Sequence, residues 1–304
     1  MYERRPELYG GIALDTYSQF EPEALLGLVG GREFGAATLQ FRPDPGKVEE
    51  NVRSMLALME QAVGLAARRN VKLDLVVLPE LASSGVICDA GRAMTLAEEL
   101  SGFTVQALVR GAREMGLYVV AGLPEREGSR FYNTAVLVGP EGLVGRYRKV
   151  HLAPRDRNWA HEGRAGFGFY DLPFARVGLL LGYDLFFPES VENLSKQGVD
   201  ILCVPALWDD EKSRFIWEAR VAEQVHMAVA NQWGTLVDGH SACGGSLVLA
   251  YARYAGECRR VVSPSRGDHI NLLVLNPGAT RQKRFLEHVD YSLLLGRSGG
   301  SCRK

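Results

Sequence analysis

No stretch of the chain stays apolar for the roughly 18 residues a membrane span needs, and the segment from Met1 to Pro6 lacks the apolar core of a signal peptide. A soluble, cytoplasmic protein is therefore expected. Cysteine is scarce. Cys88, Cys203, Cys243, Cys258 and Cys302 make an odd set of five with no CxxC spacing, which argues against both a disulfide framework and a zinc site. The six histidines are scattered without an HExxH or similar cluster, so no metal and no other cofactor is expected. An excess of charge of one sign is missing as well, since 35 Lys and Arg against 36 Asp and Glu leave a formal charge of -1. Such a surface carries no electrostatic footprint for nucleic acid or an anionic membrane. Internal repeats, low-complexity tracts and linkers are absent too. With 304 residues, 46% of them hydrophobic, one large α/β domain with a sizeable core is expected.

What is present reads as alternating strands and helices. Residues Gly35 to Phe41 form an apolar strand. From Lys47 to Arg69 the apolar positions Val48, Val52, Leu56, Met59 and Val63 recur about every 3.6 residues, which predicts an amphipathic helix. That helix returns to a second strand, from Leu73 to Leu78, closed by Pro79 and Glu80. Strand, helix, strand in succession implies a βαβ unit. Thr104 to Met115 predicts a helix with Gly116 as its C-cap, followed by a strand from Leu117 to Leu123. Asn133 to Gly139 and Gly142 to Lys149 predict a hairpin around Pro140, Glu141 and Gly142 that delivers Lys149 at its end. Further on, Val191 to Gln197 predicts a short helix, Asp200 to Pro205 a buried strand, Ser213 to Val225 a helix and Met227 to Asn231 a strand. Gly244 to Ala250, Glu257 to Val262 and Ile270 to Leu275 read as closing β structure. The periods suggest packed sheets with helices outside. Residues 1–34 stand before the first strand as an extension of no assigned role, 35–294 form the domain, and 295–304 are expected to be a flexible tail.

The stretch from Val177 to Glu189 organises the rest. Gly178 to Leu181 is a short apolar strand, Tyr183 and Asp184 interrupt it, and Pro188, Glu189 and Ser190 start a helix, so Gly182 sits on a strand-to-helix elbow. Elbows of this kind display one residue beside backbone N–H groups, and other folds place a nucleophile there. Here the displayed residue is glycine. Together with Glu80 after one strand and Lys149 after another, in this order, the elbow and its flank Phe187-Pro188-Glu189 resemble the nitrilase superfamily of carbon-nitrogen hydrolases. The resemblance runs from about Gly35 to Leu294. In that family the elbow usually reads Cys-Tyr-Asp; this chain keeps Tyr183 and Asp184 and has Gly182 in place of the cysteine. The resemblance implies a four-layer α-β-β-α sandwich, no cofactor, and assembly as a homodimer or larger homo-oligomer.

Cleaving an amide requires a nucleophile, a base, and positive charge where the carbonyl oxygen becomes an oxyanion. By the resemblance, Glu80 is the general base, Lys149 stabilises the tetrahedral intermediate, and a cysteine at position 182 attacks to form a thioester that water hydrolyses. A thiol of ordinary pKa, about 8.5, needs such neighbours to ionise at neutral pH. Asp156, seven residues after Lys149, stands where the family often carries a second acid. It is one methylene shorter than a glutamate, and Glu125 is a weaker alternative for that role. Tyr183 and Trp208 are candidate substrate-binding residues, Trp208 because it follows a strand end, where α/β sites collect. Arg220 and Glu223, three apart on a helix, read as a structural ion pair.

Each residue taken alone also has a plainer explanation. Glu80 is a solvated turn carboxylate, Lys149 part of an exposed basic run, Asp156 a surface charge between two arginines, and Trp208 a core aromatic. No neighbour of Gly182 replaces the thiol, because Ser190 begins the helix and Cys203 lies inside an apolar strand. The expected function is hydrolysis of a small non-peptide amide, a carboxamide or N-carbamoyl compound, by a Glu-Lys-Cys set whose nucleophile is absent, so that the chain as it stands is inactive or nearly so. Either the cysteine was replaced deliberately to trap a substrate, as the intact Glu80, Lys149 and elbow flank suggest, or the chain is a naturally non-catalytic ligand-binding or regulatory member, as Asp156 suggests.

Overall fold

The computed structural model describes residues 32–281 except 211, 212, 214, 215, 217, 219, 221–223 and 253–257. The expected tail, almost all of the expected extension, Glu223, and most of the helix predicted over Ser213 to Val225 lie outside the described residues. In chain order the strands are β1 (Phe34–Gln40), β2 (Leu73–Val77), β3 (Tyr118–Glu127), β4 (Arg130–Gly139), β5 (Gly142–Arg148), β6 (Phe169–Asp171) and β7 (Arg176–Leu179). They continue as β8 (Ile201–Ala206), β9 (His226–Asn231), β10 (Trp233–Thr235), β11 (Ser241–Cys243), β12 (Leu247–Ala250), β13 (Arg259–Val262) and β14 (His269–Leu275). The longer helices are α1 (Val48–Arg68), α2 (Ala90–Leu96), α3 (Phe103–Met115) and α4 (Pro188–Lys196).

Two six-stranded sheets carry the fold, ordered β14-β1-β2-β3-β4-β5 and β13-β12-β9-β8-β7-β6. Both are mixed in the same way: the three central strands run parallel and the flanking strands antiparallel. The first sheet is buried on both faces, which is why every residue of β1 and β2 is buried rather than every second one. Ala36, Leu75, Val77, Val120 and Leu137 face the second sheet, sharing a core with Val177, Leu179, Cys203, Val204 and Val229. Their neighbours Ala37, Val76, Val119, Val136 and Val138 face outward, against Val52, Met55 and Met59 of α1 and Leu108 and Ala112 of α3. Val191 and Leu194 of α4 pack against the second sheet, Leu194 on the face that Gly178 presents. Mixed sheets flanked by helices thus form the α/β sandwich that the sequence predicted.

Local chemistry accounts for the element ends. Gly116 closes α3 in the left-handed conformation, φ 66°, with its N–H on the carbonyl of Ala112. Pro188 opens α4, where its missing N–H costs nothing. The strand before the elbow stops at Leu179, two residues earlier than expected, and a 3-10 turn from Gly182 to Phe186 joins it to α4. Gly182 itself is not among the residues at positive φ, so the backbone does not demand glycine there. Among the described residues, no helix is long and apolar enough to cross a membrane.

Candidate active site

Glu80 is fixed by both sheets. Residues 78–82 run alongside β3, with Leu78 N–H on the carbonyl of Val120, Gly122 N–H on that of Pro79, and Ala82 N–H on that of Gly122. The approach is so close that a Cβ at Gly122 would lie 2.5 Å from Glu80 Cα, which only glycine avoids. The next residue, buried Leu81, holds φ 51°, a left-handed conformation that costs a non-glycine residue of order 1 kcal/mol and here turns the chain sharply behind the carboxylate. From the second sheet, the carbonyl of Ala206 accepts the Glu80 N–H at 3.3 Å, and Gln232 Nε2 donates to the Glu80 carbonyl at 2.7 Å.

Lys149 leaves the end of β5 with its N–H on the carbonyl of Asn133 in β4. Its ammonium meets Glu80 Oε1 at 2.6 Å and Asp156 Oδ2 at 2.7 Å, and all three side chains are at most 2% exposed. Neither the exposed basic run nor the solvated turn carboxylate survives this burial. Asp156 is not a surface charge either; the short 3-10 turn from Asp156 to Asn158 points it inward, and despite its shorter side chain it reaches Lys149. Its Oδ2 also accepts the Ala153 N–H, and its neighbour Arg155 pairs with Asp209, beside Trp208.

The charges do not balance, because two carboxylates face one ammonium away from water. Burial pushes the Glu80 carboxyl up; Lys149 opposes this and Asp156 adds to it. For Lys149, burial alone would lower the ammonium, but Asp156 and Glu80 outweigh it and hold the group above its ordinary range. Asn133 completes the cluster. Its Nδ2 donates to Glu80 Oε1 at 2.7 Å and to Asp156 Oδ1 at 3.2 Å.

Ala206 stands between Gly182 and the Glu80 backbone, and Trp208 lies against the same glycine. Trp208 Nε1 donates to the Gly182 carbonyl at 3.1 Å, and the Trp208 backbone is held by Asn231, whose side chain accepts its N–H. A Cβ at position 182 would lie 2.9 Å from Trp208 Nε1 and 3.0 Å from Ala206 Cα, the residue whose carbonyl holds Glu80. Trp208 therefore fills the space beside the elbow rather than leaving it open.

The other predicted residues separate from this centre. Tyr183 packs its ring on Phe186 and Phe187, each at 5.5 Å. Glu125 is buried but committed to Arg146, Arg148 and Thr134. Arg220 donates to the Leu185 carbonyl, steadying the turn; its expected partner Glu223 lies outside the described residues. Cys203 is fully buried in β8, and burial pushes its thiol far up, so it offers no thiolate. Sequence reasoning missed the tie between Asp184 and His151. Asp184 accepts the Leu181 and His151 N–H groups, the Tyr147 hydroxyl and His151 Nδ1, binding the elbow to the segment that follows Lys149.

Comparison with known proteins agrees with this architecture. A family model described as carbon-nitrogen hydrolase matches residues 35–253. The chain is 36% identical over 172 residues to a nitrilase of Pyrococcus abyssi, covering 56% of this chain and 63% of that protein. It is 36% identical over 182 residues to an (R)-stereoselective amidase of a Pseudomonas species, covering 58% and 65%. These matches span less than two thirds of either relative's length. An omega-amidase of Danio rerio is 28% identical over 233 residues, 71% of this chain and 80% of that protein. Among solved structures, an amidase from a Nesterenkonia species superposes with a TM-score of 0.68 at 22% identity, covering 88% of this chain and 97% of that one, a likeness of fold.

Proposed function

The chain belongs to the carbon-nitrogen hydrolase family, and on that premise we propose that its site is built to hydrolyse a small non-peptide amide, a carboxamide or N-carbamoyl compound, but lacks the nucleophile. The buried contact of Lys149 with Glu80 and Asp156, with Ala206 between the Glu80 backbone and Gly182, carries this reading. With a thiol at position 182, Glu80 would accept its proton, sulfur would attack the amide carbon, and Lys149 would stabilise the oxyanion. Collapse of the tetrahedral intermediate breaks the C–N bond as Glu80 returns the proton to the leaving nitrogen. Water then attacks the thioester, giving its proton to Glu80, and the acid leaves as the thiol is reprotonated. Without the thiol, a loss on the order of a million-fold is expected, leaving the chain nearly inert.

A second reading, a ligand-binding or regulatory protein on the same fold, is favoured by one observation. Trp208 and Ala206 already occupy the space that a side chain at position 182 needs. The variant Gly182→Cys separates the two. On the first reading it turns over a panel of small amides and accumulates an acyl-enzyme visible by intact mass. No product and no adduct across the panel would leave only the binding reading. Self-association belongs to the proposal too, supported by an aromatic surface where Phe186, 37% exposed, adjoins Tyr183 and Phe187. The four described cysteines are free thiols, which fits a reducing compartment such as the cytoplasm.

A further inference from the structure

Asn133 is an odd residue to find in the buried part of a strand, since asparagine is depleted in strands and a buried amide must be bonded. Its side chain is fully buried, and its Nδ2 spends both N–H groups on carboxylates, Glu80 Oε1 at 2.7 Å and Asp156 Oδ1 at 3.2 Å. Its Oδ1 has no partner among the described residues. Rotating the amide does not help, because the carbonyl oxygen would then face the two carboxylates. Lys149 stands across the same two carboxylates, and two of its three N–H groups are engaged there. The cluster thus offers one spare donor and one spare acceptor, both tethered to Glu80 and Asp156. That is the complement of a group with an adjacent C=O and N–H.

We propose that Asn133 recognises the substrate's amide nitrogen, its side-chain carbonyl accepting an N–H that carboxamides and ureido compounds carry and nitriles and ketones lack. The inference rests on the amide-hydrolase reading and sharpens it. A site with a committed, buried acceptor penalises any occupant that cannot donate to it, because the acceptor loses water and gains nothing. Asn133 is then both a clamp on the two acids and the feature that selects amide over nitrile.

The test is calorimetry on the full chain, which needs no catalysis, with three probes of nearly one shape: butyramide, 2-pentanone, in which a methyl replaces the NH2, and butyronitrile. Butyramide is expected to bind about tenfold or more tighter than either of the others. In Asn133→Leu the preference should fall to near unity, a change of ratio that a merely structural role would not produce, and a thermal melt checks that this variant folds. Should the variant not fold, the native chain's preference over 2-pentanone decides alone. Equal binding of butyramide and 2-pentanone, or a preference that persists in Asn133→Leu, overturns the inference while leaving the amidase reading in place. Binding of none of the three sinks that reading and the inference with it.

Discussion

Lys149→Met removes the charge and keeps most of the volume of the side chain on which the cluster depends. In the native protein the ammonium lies 2.6 Å from Glu80 and 2.7 Å from Asp156, and none of the three meets solvent. Breaking a buried pair by deleting one partner costs about 3–5 kcal/mol, because a charge is left behind without compensation. Here two carboxylates are left, held among the described residues by Asn133 and the Ala153 N–H. For a chain of this size the loss corresponds to a fall in Tm of roughly 5–8 °C at neutral pH. The loss should also depend on pH. Burial holds the Glu80 carboxyl up even with Lys149 present, and removing the ammonium raises it further. A carboxyl whose folded pKa exceeds its unfolded value, about 4.3, stabilises the fold fully below that value and loses the contribution as pH rises through the folded pKa. The variant should therefore approach native stability near pH 4 and fall furthest behind at neutral pH and above. Urea unfolding of both proteins at a series of pH values measures this. A deficit under about 1 kcal/mol at pH 7, or one that is the same at acid and neutral pH, would refute the account of Lys149 as the counter-charge to two buried acids.

Gly182→Cys should fold, since the backbone at 182 is not left-handed, but the contacts of 2.9 Å to Trp208 Nε1 and 3.0 Å to Ala206 make it an overpacking change costing about 1–3 kcal/mol. Adding Trp208→Phe, which removes the indole N–H edge, should recover part of that loss and raise the yield of acyl-enzyme; a double variant less stable than Gly182→Cys alone would count against the packing explanation. His151 is held above its ordinary pKa by its hydrogen bond to Asp184, with burial opposing and the charges of Asp184, Glu189 and Glu162 assisting. Its contribution is thus complete below about pH 6.5 and lost as pH rises through the raised value. His151→Gln should flatten the pH dependence of Tm across that window, and an unchanged slope would show that the pair with Asp184 does not hold the elbow.

The sheets and most helices were legible because burial on both faces writes continuous apolar runs and α1 writes a helical period. Gly116 and Pro188 mark helix ends through backbone chemistry that is local to those residues. Glu80 and Lys149 were legible for a different reason: each closes a strand, and a strand's C-terminal end is a fixed address in an α/β fold. What the sequence hid depends on contacts between segments far apart in the chain. Asp156 reads as a surface charge among arginines until a single 3-10 turn points it at Lys149. Tyr183 sits beside the elbow in sequence, yet its ring turns away to Phe186 and Phe187.

Asn133 and Trp208 carry the more general lesson about such sites. Asn133 carried a signal, an amide just ahead of the apolar run from Ala135 to Val138, but only its two carboxylate partners, 53 residues before it and 23 after it, turn that oddity into a role. A buried amide can satisfy its donors on acids fixed by the fold and still leave an acceptor over, and that remainder, invisible to any motif, is where the site's preference among carbon-nitrogen bonds resides on this account. Trp208 works in the opposite sense. Its indole donates to the Gly182 carbonyl and stands 2.9 Å from where a Cβ at that position would lie, so on the proposed reading a thiol restored there must displace the indole edge, and chemistry and packing are coupled at this one residue.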